Sequence, residues 1–240
     1  MPNREFSTRD DAGKTRYERW DWLTHFLDEW CTLRRATTKS FTDTQLDAAE
    51  RRLGLRLPPA VREWYLQFGS HRRVWCAQDN LLTPEEFYLE NDRLVFLVES
   101  QGVVRWGIAA DKLAADDPPV LLDMCDLADE THVEGKSFSE FAVALALYDF
   151  KFVSEYVAAG SSPIRAPALK TELLNSPALT PWHWPQFPTT ISLWNGSVLE
   201  VQGRHQDNCW ITLASKDQQA FDADLQRLAT HGISLSPVNE

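Results

Sequence analysis

Two consecutive prolines, Pro58 and Pro59, constrain this sequence more tightly than any other feature. They interrupt the stretch LGLRLPPAVREWYLQFG, residues 53–69. A proline at the first helical position has no amide hydrogen to lose there, and its fixed φ sets the direction in which the helix starts. The stretch therefore predicts a helix that begins at a stiff LxLPP corner and ends at Gly69. Its apolar residues recur at helical spacing: Val61, Trp64, Tyr65 and Phe68.

The residues before the corner predict a second, well-capped helix. Thr42 and Gln45 have the spacing of a capping box, and Phe41 is placed to pack on Leu46 as a hydrophobic staple. Gly54 suits a left-handed stop at the other end. Two short helices joined by the LxLPP corner follow from this pattern.

After residue 93 the pattern changes to short runs of β-prone residues. Residues 94–100, 103–110 and 119–124 predict consecutive antiparallel strands, and residues 137–150 return to a helix capped by Ser137. Helices and strands that occur in separate runs indicate an α+β fold. We expect a single mixed or antiparallel sheet flanked by helices.

The remaining residues predict a mixture of helices and strands. Residues 151–160 suggest a short helix, and the proline-rich residues 163–188 an extended crossing of the surface. Asn195-Gly196 predicts the turn of a hairpin over 189–202. A strand over 208–215 then leads into a last helix, with Ser215 and Gln218 as a capping box and Gly232 as the stop.

Helical spacing of apolar residues also predicts an amphipathic helix over 15–33. We therefore expect residues 1–40 to form a helical extension and connector. Residues 41–235 would form one domain, with a core over 41–150 and a strand-hairpin-helix part over 151–235.

The negative charge of the chain is concentrated in its middle. The net charge is -11, and residues 76–150 alone hold sixteen acidic and four basic side chains, so this segment accounts for the whole excess. Such a segment disfavours nucleic-acid binding and suits either a cationic protein partner or plain solubility. The candidate partner-binding acids are Asp116, Asp117, Asp123, Asp126, Asp129, Glu130 and Glu134.

Two tryptophans in PWHWPQF leave two interpretations open. Trp182 and Trp184 could be exposed anchors for a partner, because tryptophan is enriched in binding hot spots. They could equally pin the proline-rich segment onto its own core. Both residues are kept as candidate partner contacts.

The sequence contains no spacing typical of a catalytic, metal or cofactor site. Among the six histidines there is no HxH or HxxxH, and the chain has no CxxC, P-loop, GxSxG or dinucleotide pattern. His205, Asp207 and Cys209 alternate, but they follow a hairpin in a polar stretch, which favours a surface loop. We expect no cofactor, no metal and no enzymatic activity. The charged first residues and the lack of a long apolar run predict a cytoplasmic protein without a membrane span.

Taken in order, these motifs resemble the SUKH superfamily, which includes yeast cell-wall regulators and many bacterial immunity proteins. The resemblance covers residues 41–150, and the later strand-hairpin-helix pattern is similar to the C-terminal part of longer members. It is carried by Ala49, Glu50, Leu53, Gly54, Leu57, Pro58, Arg62, Tyr65, Phe68 and Gly69, by Glu99, Gln101, Gly102, Val103, Trp106, Gly107 and Ile108, and by Asp117, Pro118, Pro119 and Val120.

The resemblance implies a binding protein in which these motifs determine the fold and variable surfaces determine the partner. Many bacterial members are thought to neutralise a cognate secreted toxin by direct contact. The expected function is therefore an immunity protein whose acidic region engages a toxin with a basic surface. A regulatory SUKH-type interaction module is the alternative, and an enzyme with an unrecognised site is a distant third.

Overall fold

The computed structural model describes residues 18–31, 40–124, 131–163, 189–203 and 208–238. The chain forms two compact units, which are described separately. The central unit is Thr32–Val153, and the split unit combines Met1–Cys31 with Ser154–Glu240. The sequence places its internal boundary at residue 150, close to this division. That residues 41–235 form a single domain stays a prediction.

The predicted helices of the central unit begin where their capping residues indicate. The Thr42 side chain accepts a hydrogen bond from the Gln45 amide, and the Gln45 side chain accepts one from the Thr42 amide. The predicted capping box is therefore confirmed. Gly54 ends this helix at a φ of 69°. The helices of the unit are α2 (Asp43–Leu53), α3 (Pro59–Gln67), α4 (Arg72–Trp75) and α5 (Phe138–Val153), and the described N-terminal helix of the split unit is α1 (Asp21–Trp30).

The sheet of the central unit is an antiparallel meander. Its order is β1-β3-β4-β5-β6, with β2 also paired to β3. The three strands that the sequence predicts are confirmed as β3, β4 and β5. The strands are β1 (Asn80–Leu81), β2 (Tyr88–Glu90), β3 (Arg93–Val98), β4 (Val104–Ala109), β5 (Val120–Met124) and β6 (Thr131–Gly135).

An unrecognised hairpin joins β2 to β3. Its two turn residues, Asn91 and Asp92, have φ values of 49° and 55°. Positive φ at both positions suits the tight turn that matches strand twist, and Asn and Asp tolerate it better than most residues. This Asn-Asp pair was therefore a usable signal in the sequence.

Aromatic side chains fill the interior of the central unit. Trp64 of α3 lies 5.0 Å from Trp75 of α4 and 5.8 Å from Phe138 of α5, measured between ring centroids. Phe96 of β3 lies 5.4 Å from Phe138. Because all four rings are buried, helices and sheet share one core.

The split unit has its own antiparallel sheet, in the order β11-β7-β10-β9-β8. The predicted hairpin is confirmed: Trp194 pairs with Ser197 across Asn195-Gly196. The elements are β7 (Tyr156–Pro163), β8 (Thr189–Trp194), β9 (Ser197–Gln202), β10 (Asn208–Ser215), α6 (Gln218–Thr230) and β11 (Ser236–Pro237).

Two contacts position the helices of the split unit. Phe221 and Leu228 of α6 belong to a buried cluster with Leu199, Ile211 and Leu213 of the sheet. The Glu29 carboxylate of α1 accepts a hydrogen bond of 2.7 Å from the ammonium group of Lys216. Lys216 lies just before the Asp217 cap of α6. Within the described parts of the chain, every helix is too short or too polar to cross a lipid bilayer.

The α+β fold class is confirmed, but the expectation of one sheet is wrong. Strand-forming segments were visible in the sequence, whereas their hydrogen-bond partners were not. β7 pairs only with β10 and β11 among the described strands, which places it in a second sheet.

Two local predictions are also corrected. Residues 151–160 do not form a short helix, because 151–153 complete α5 and Tyr156–Pro163 pair along their whole length with β10. The last helix is capped by Asp217, whose side chain accepts from the Ala220 amide at 2.8 Å. Ser215 instead remains in β10 and bonds the Ser197 hydroxyl.

Candidate functional site

A buried glutamate holds the LxLPP corner together. Glu50 is 4% exposed, and its Oε1 accepts a hydrogen bond of 2.9 Å from the Leu57 amide. Its Oε2 accepts from Arg56 at 2.8 Å, and Arg62 lies 3.2 Å from Oε1. Pro58 caps α3, and Pro59 is its first residue, as predicted.

Arg62 links this corner to the start of α2. It contacts Asp43 at 2.6 Å and Asp47 at 3.0 Å. Burial acts to lower the pKa of Arg62, but hydrogen bonds to these two aspartates and the charge of Glu50 outweigh it and raise the pKa. A groove of about 730 Å³ borders the network, lined by Thr44, Asp47, Glu50, Arg51, Gly54, Leu55 and Arg56.

A second buried glutamate shapes the turn between β3 and β4. Glu99 is 4% exposed, and its carboxylate accepts hydrogen bonds from the Gln101 amide at 2.8 Å and the Ser100 hydroxyl at 2.9 Å. Gly102 takes a φ of 76°, which permits the reversal. Gln101 therefore contributes its backbone amide, while its side chain is exposed.

The remaining motif residues pack the core. Trp106 and Tyr65 are buried, and the Tyr65 hydroxyl donates to the Leu82 carbonyl at 3.0 Å. A Cβ on Gly107 would lie 2.8 Å from the Leu94 carbonyl oxygen, and one on Gly69 would lie 2.9 Å from the Tyr65 ring. Both glycines thus provide space for close packing.

Asp117 caps a helix that lies far along the chain. Its carboxylate accepts from the Ser139 amide at 2.9 Å and from the Ser139 hydroxyl at 2.5 Å, at the first turn of α5. The neighbouring Asp116 carbonyl accepts from the Ala60 amide of α3 at 3.0 Å. The segment that ends at the buried Pro118 therefore joins the starts of two helices.

The predicted acidic residues differ widely in their surroundings. Asp116 is exposed, whereas Asp123 is 18% exposed and lies 2.7 Å from Arg93. Glu134 is 1% exposed and points into the interior of the unit. The predicted residues Asp126, Asp129, Glu130, Trp182, Trp184, His205 and Asp207 lie outside the described residues.

Among the described members of the predicted partner-binding set, Glu134 is too buried to contact a partner, and the members outside the described residues stay predictions. We use the name acidic surface for the predicted acids Asp126, Asp129 and Glu130 of the segment between β5 and β6. Asp116 precedes β5, at the opposite end of that strand. Beside that segment, β6 pairs with β5 alone among the described strands, and Val133 of β6 is 53% exposed. The edge strand β6 therefore presents an exposed apolar side chain.

Sequence reasoning missed two buried aspartates. Asp149 is 0% exposed in α5 and Asp79 is 1% exposed before β1. A usable signal was present for Asp149, since it is the one charged residue in the apolar run FAVALALYDF. Among the described residues, no three His, Cys, Asp or Glu side chains are arranged to hold a metal ion.

No family model, curated protein or solved structure matches this chain.

Proposed function

We propose that this chain is a SUKH-type protein-binding module that acts in the cytoplasm as an immunity protein. It would neutralise a cognate toxin domain by direct contact between the acidic surface and a basic surface of the toxin. The proposal treats the chain as a binding protein without catalytic activity, cofactor or metal.

One observation carries the proposal: the carboxylates of the three motifs are all committed to the fold. Glu50 holds the helix corner, Glu99 holds a turn and Asp117 caps α5. Side chains engaged in this way support a shared scaffold, whose specificity must come from other residues. The proposal assigns partner binding to Asp126, Asp129 and Glu130, which lie outside the described residues.

The acidic surface suits a basic partner for an electrostatic reason. Sixteen acidic and four basic side chains in residues 76–150 give this part of the chain a strong negative potential. Such a potential accelerates association with a cationic protein by about 10- to 1,000-fold at low ionic strength. A toxin that binds nucleic acid would present the required positive surface.

The test is a calorimetric titration of the full chain with the C-terminal domain encoded by the neighbouring upstream gene, if that gene encodes a toxin-like protein. We expect one-to-one binding with a Kd of about 1 nM or tighter, as the strongest inhibitors of standard interface size reach. Absence of binding would reject the immunity function and favour the alternative, a regulatory SUKH-type module. Its partner would then be sought by affinity capture.

A charge-reversal variant tests the position of the surface. Asp126, Asp129 and Glu130 are changed together to Lys, while Asp123 and Glu134 are retained because the structure pairs or buries them. We expect association to slow at least tenfold at low salt, by roughly the lower end of electrostatic steering.

The matched control reverses three exposed acids of the split unit, Asp28, Glu155 and Asp222, and alters the net charge equally. It should slow association much less, and high salt should reduce the difference between the variants. Equal slowing by both variants would show that net charge matters and that the acidic surface does not.

A further inference from the structure

Asp149 occupies a position in which a charged carboxylate is strongly disfavoured. It lies in α5, where every residue from Phe138 to Phe150 except Ser139 and Glu140 is buried. Neither of its oxygens has a hydrogen-bond partner among the described residues. Two buried acceptors without a partner in the described chain require a donor, and a proton on the carboxyl group itself would supply one.

Asp79 is another buried aspartate, and one of its oxygens is unpaired in the described part of the chain. It is 1% exposed in the segment between α4 and β1, and α4 packs against α5. The Asp79 Oδ1 accepts from the Ser100 amide at 3.3 Å, whereas Oδ2 is buried and has no partner among the described residues. One side of this carboxylate is therefore satisfied and the other is not.

The surroundings assign the proton to Asp149. Burial raises the pKa of Asp149 well above its usual value, the charge of Asp79 raises it further, and Lys151 opposes both. Burial raises the pKa of Asp79 to about 6 and the charge of Glu99 adds to this, while the Ser100 amide and Lys151 act in the opposite direction. The hydrogen bonding favours the proton on Asp149, because neither of its oxygens has a donor among the described residues, whereas Asp79 accepts a hydrogen bond from the Ser100 amide.

Other titratable and charged groups lie on the elements around α5. Burial raises the pKa of the Cys76 thiol at the end of α4. Titratable and charged side chains on described elements that contact α5 include Arg62, Glu63 and Tyr65 of α3, Arg72 of α4, Arg93 of β3, and His132 and Glu134 of β6.

We propose that Asp149 and Asp79 form a buried dyad that holds one proton in neutral solution, with Asp149 donating it to the unpaired Oδ2 of Asp79. The proton converts one acceptor into a donor and so satisfies both carboxyl groups. It fastens α5 to the segment before β1 and makes the stability of the central unit depend on pH. This inference is independent of the proposed function.

The direction of the pH dependence follows from linkage. A group that holds its proton in the folded state but releases it when unfolded makes folding less favourable as pH rises. Each such group lowers the folding equilibrium constant by up to about tenfold per pH unit. Asp79 contributes up to about pH 6, and Asp149 continues to contribute above it.

The experiment measures the proton directly in the full chain. Infrared spectra of protein labelled with ¹³C at the aspartate carboxyl carbons should show the carbonyl stretch of a protonated acid at about pH 7, where ordinary aspartates are ionised. Asp149→Asn should abolish this band. The matched control Asp111→Asn, at an exposed residue, should retain it.

Unfolding by urea from about pH 6 to pH 8 supplies the second readout. As pH rises, the folding equilibrium constant of the wild type should fall more steeply than that of Asp149→Asn, because the asparagine side chain cannot titrate. The difference between the two should reach up to about tenfold per pH unit. If that variant does not fold, the labelled wild type still decides the matter. Absence of the protonated band at pH 7 overturns the proposal, as does a band that appears only when Mg²⁺, Ca²⁺ and Mn²⁺ are chelated, because a cation would then occupy the dyad.

Discussion

The Glu50 carboxylate accepts a hydrogen bond of 2.9 Å from the Leu57 amide, which connects the end of α2 to the start of α3. Leu57 supplies the last amide before α3, because neither Pro58 nor Pro59 has an amide hydrogen. The following amide, of Ala60, donates to the Asp116 carbonyl. At the start of a helix, four amides normally lack helical partners, and the double proline removes two such donors. The amides on either side of the prolines, those of Leu57 and Ala60, both have acceptors elsewhere in the fold.

Removing the Glu50 carboxylate should therefore destabilise the central unit strongly. Glu50→Ala leaves the buried Leu57 amide without its acceptor and removes the most buried of the three carboxylates that contact Arg62. We expect the free energy of unfolding to fall by about 2–4 kcal/mol, measured by urea denaturation. Glu50→Gln retains an acceptor and should cost about half as much.

Asp47→Ala is the matched control for this prediction. Asp47 also contacts Arg62, but its side chain is 51% exposed, so its loss should cost less than about 1 kcal/mol. Equal costs for the Glu50 and Asp47 variants would show that the buried hydrogen bond is not what holds the corner.

Asp117 offers a direct comparison between a structural and a partner-binding role. Asp117→Ala removes the acceptor for the Ser139 amide and hydroxyl at the first turn of α5, which should cost about 1–2 kcal/mol. Asp117→Asn retains an amide acceptor and should cost less. Unfolding and partner titration should be measured together: reduced affinity with unchanged stability would assign Asp117 to the interface instead.

Local signals in this sequence predicted local structure well. The Thr42 and Gln45 capping box, the Gly54 stop and the Asn195-Gly196 turn each involve residues within a few positions of one another, and all are present. Their chemistry is complete within the segment that carries it. The Gly232 stop, at a φ of 76°, belongs to the same class.

Contacts between distant residues could not be predicted in the same way. Nothing near Asp117 in the sequence indicates Ser139 as its partner, and nothing near Tyr156 indicates that its strand pairs with β10. The acidic members of the partner-binding set were chosen by charge density alone, which does not distinguish the exposed Asp116 from the buried Glu134. Burial and pairing depend on the tertiary fold.

Gly196 gives a prediction that includes its own rescue. The positive φ of the hairpin turn belongs to Asn195, at 56°, and the φ of Gly196 lies outside the left-handed region. Gly196 instead provides space, because a Cβ there would lie 2.6 Å from the Ala220 Cβ of α6. Gly196→Ala should lower the free energy of unfolding by about 1–3 kcal/mol through overpacking.

Ala220→Gly should relieve this clash in the double variant. Alone, Ala220→Gly should cost about 1 kcal/mol through helix propensity. Together, the two changes should cost less than the sum of the single changes by at least about 1 kcal/mol, as a double-mutant cycle would reveal. Strict additivity would mean that the loop moves aside and that Gly196 is required for another reason.

Asp79→Asn should alter the pH dependence of stability below neutrality. Burial raises the pKa of the Asp79 carboxyl from 3.8 to about 6, so the folded protein holds a proton that the unfolded chain releases. Below about pH 4 the group is protonated in both states and costs nothing. Between about pH 4 and 6 the wild type should lose up to about 3 kcal/mol of stability through this residue, and no more above pH 6.

Asp79→Asn should lack that loss when urea unfolding is compared at about pH 4 and pH 6. The control variant Asp92→Asn, in an exposed turn, should retain the wild-type loss of stability. If the stability of the wild type instead rises from pH 4 to 6 as steeply as that of Asp79→Asn, then Asp79 is ionised throughout this range.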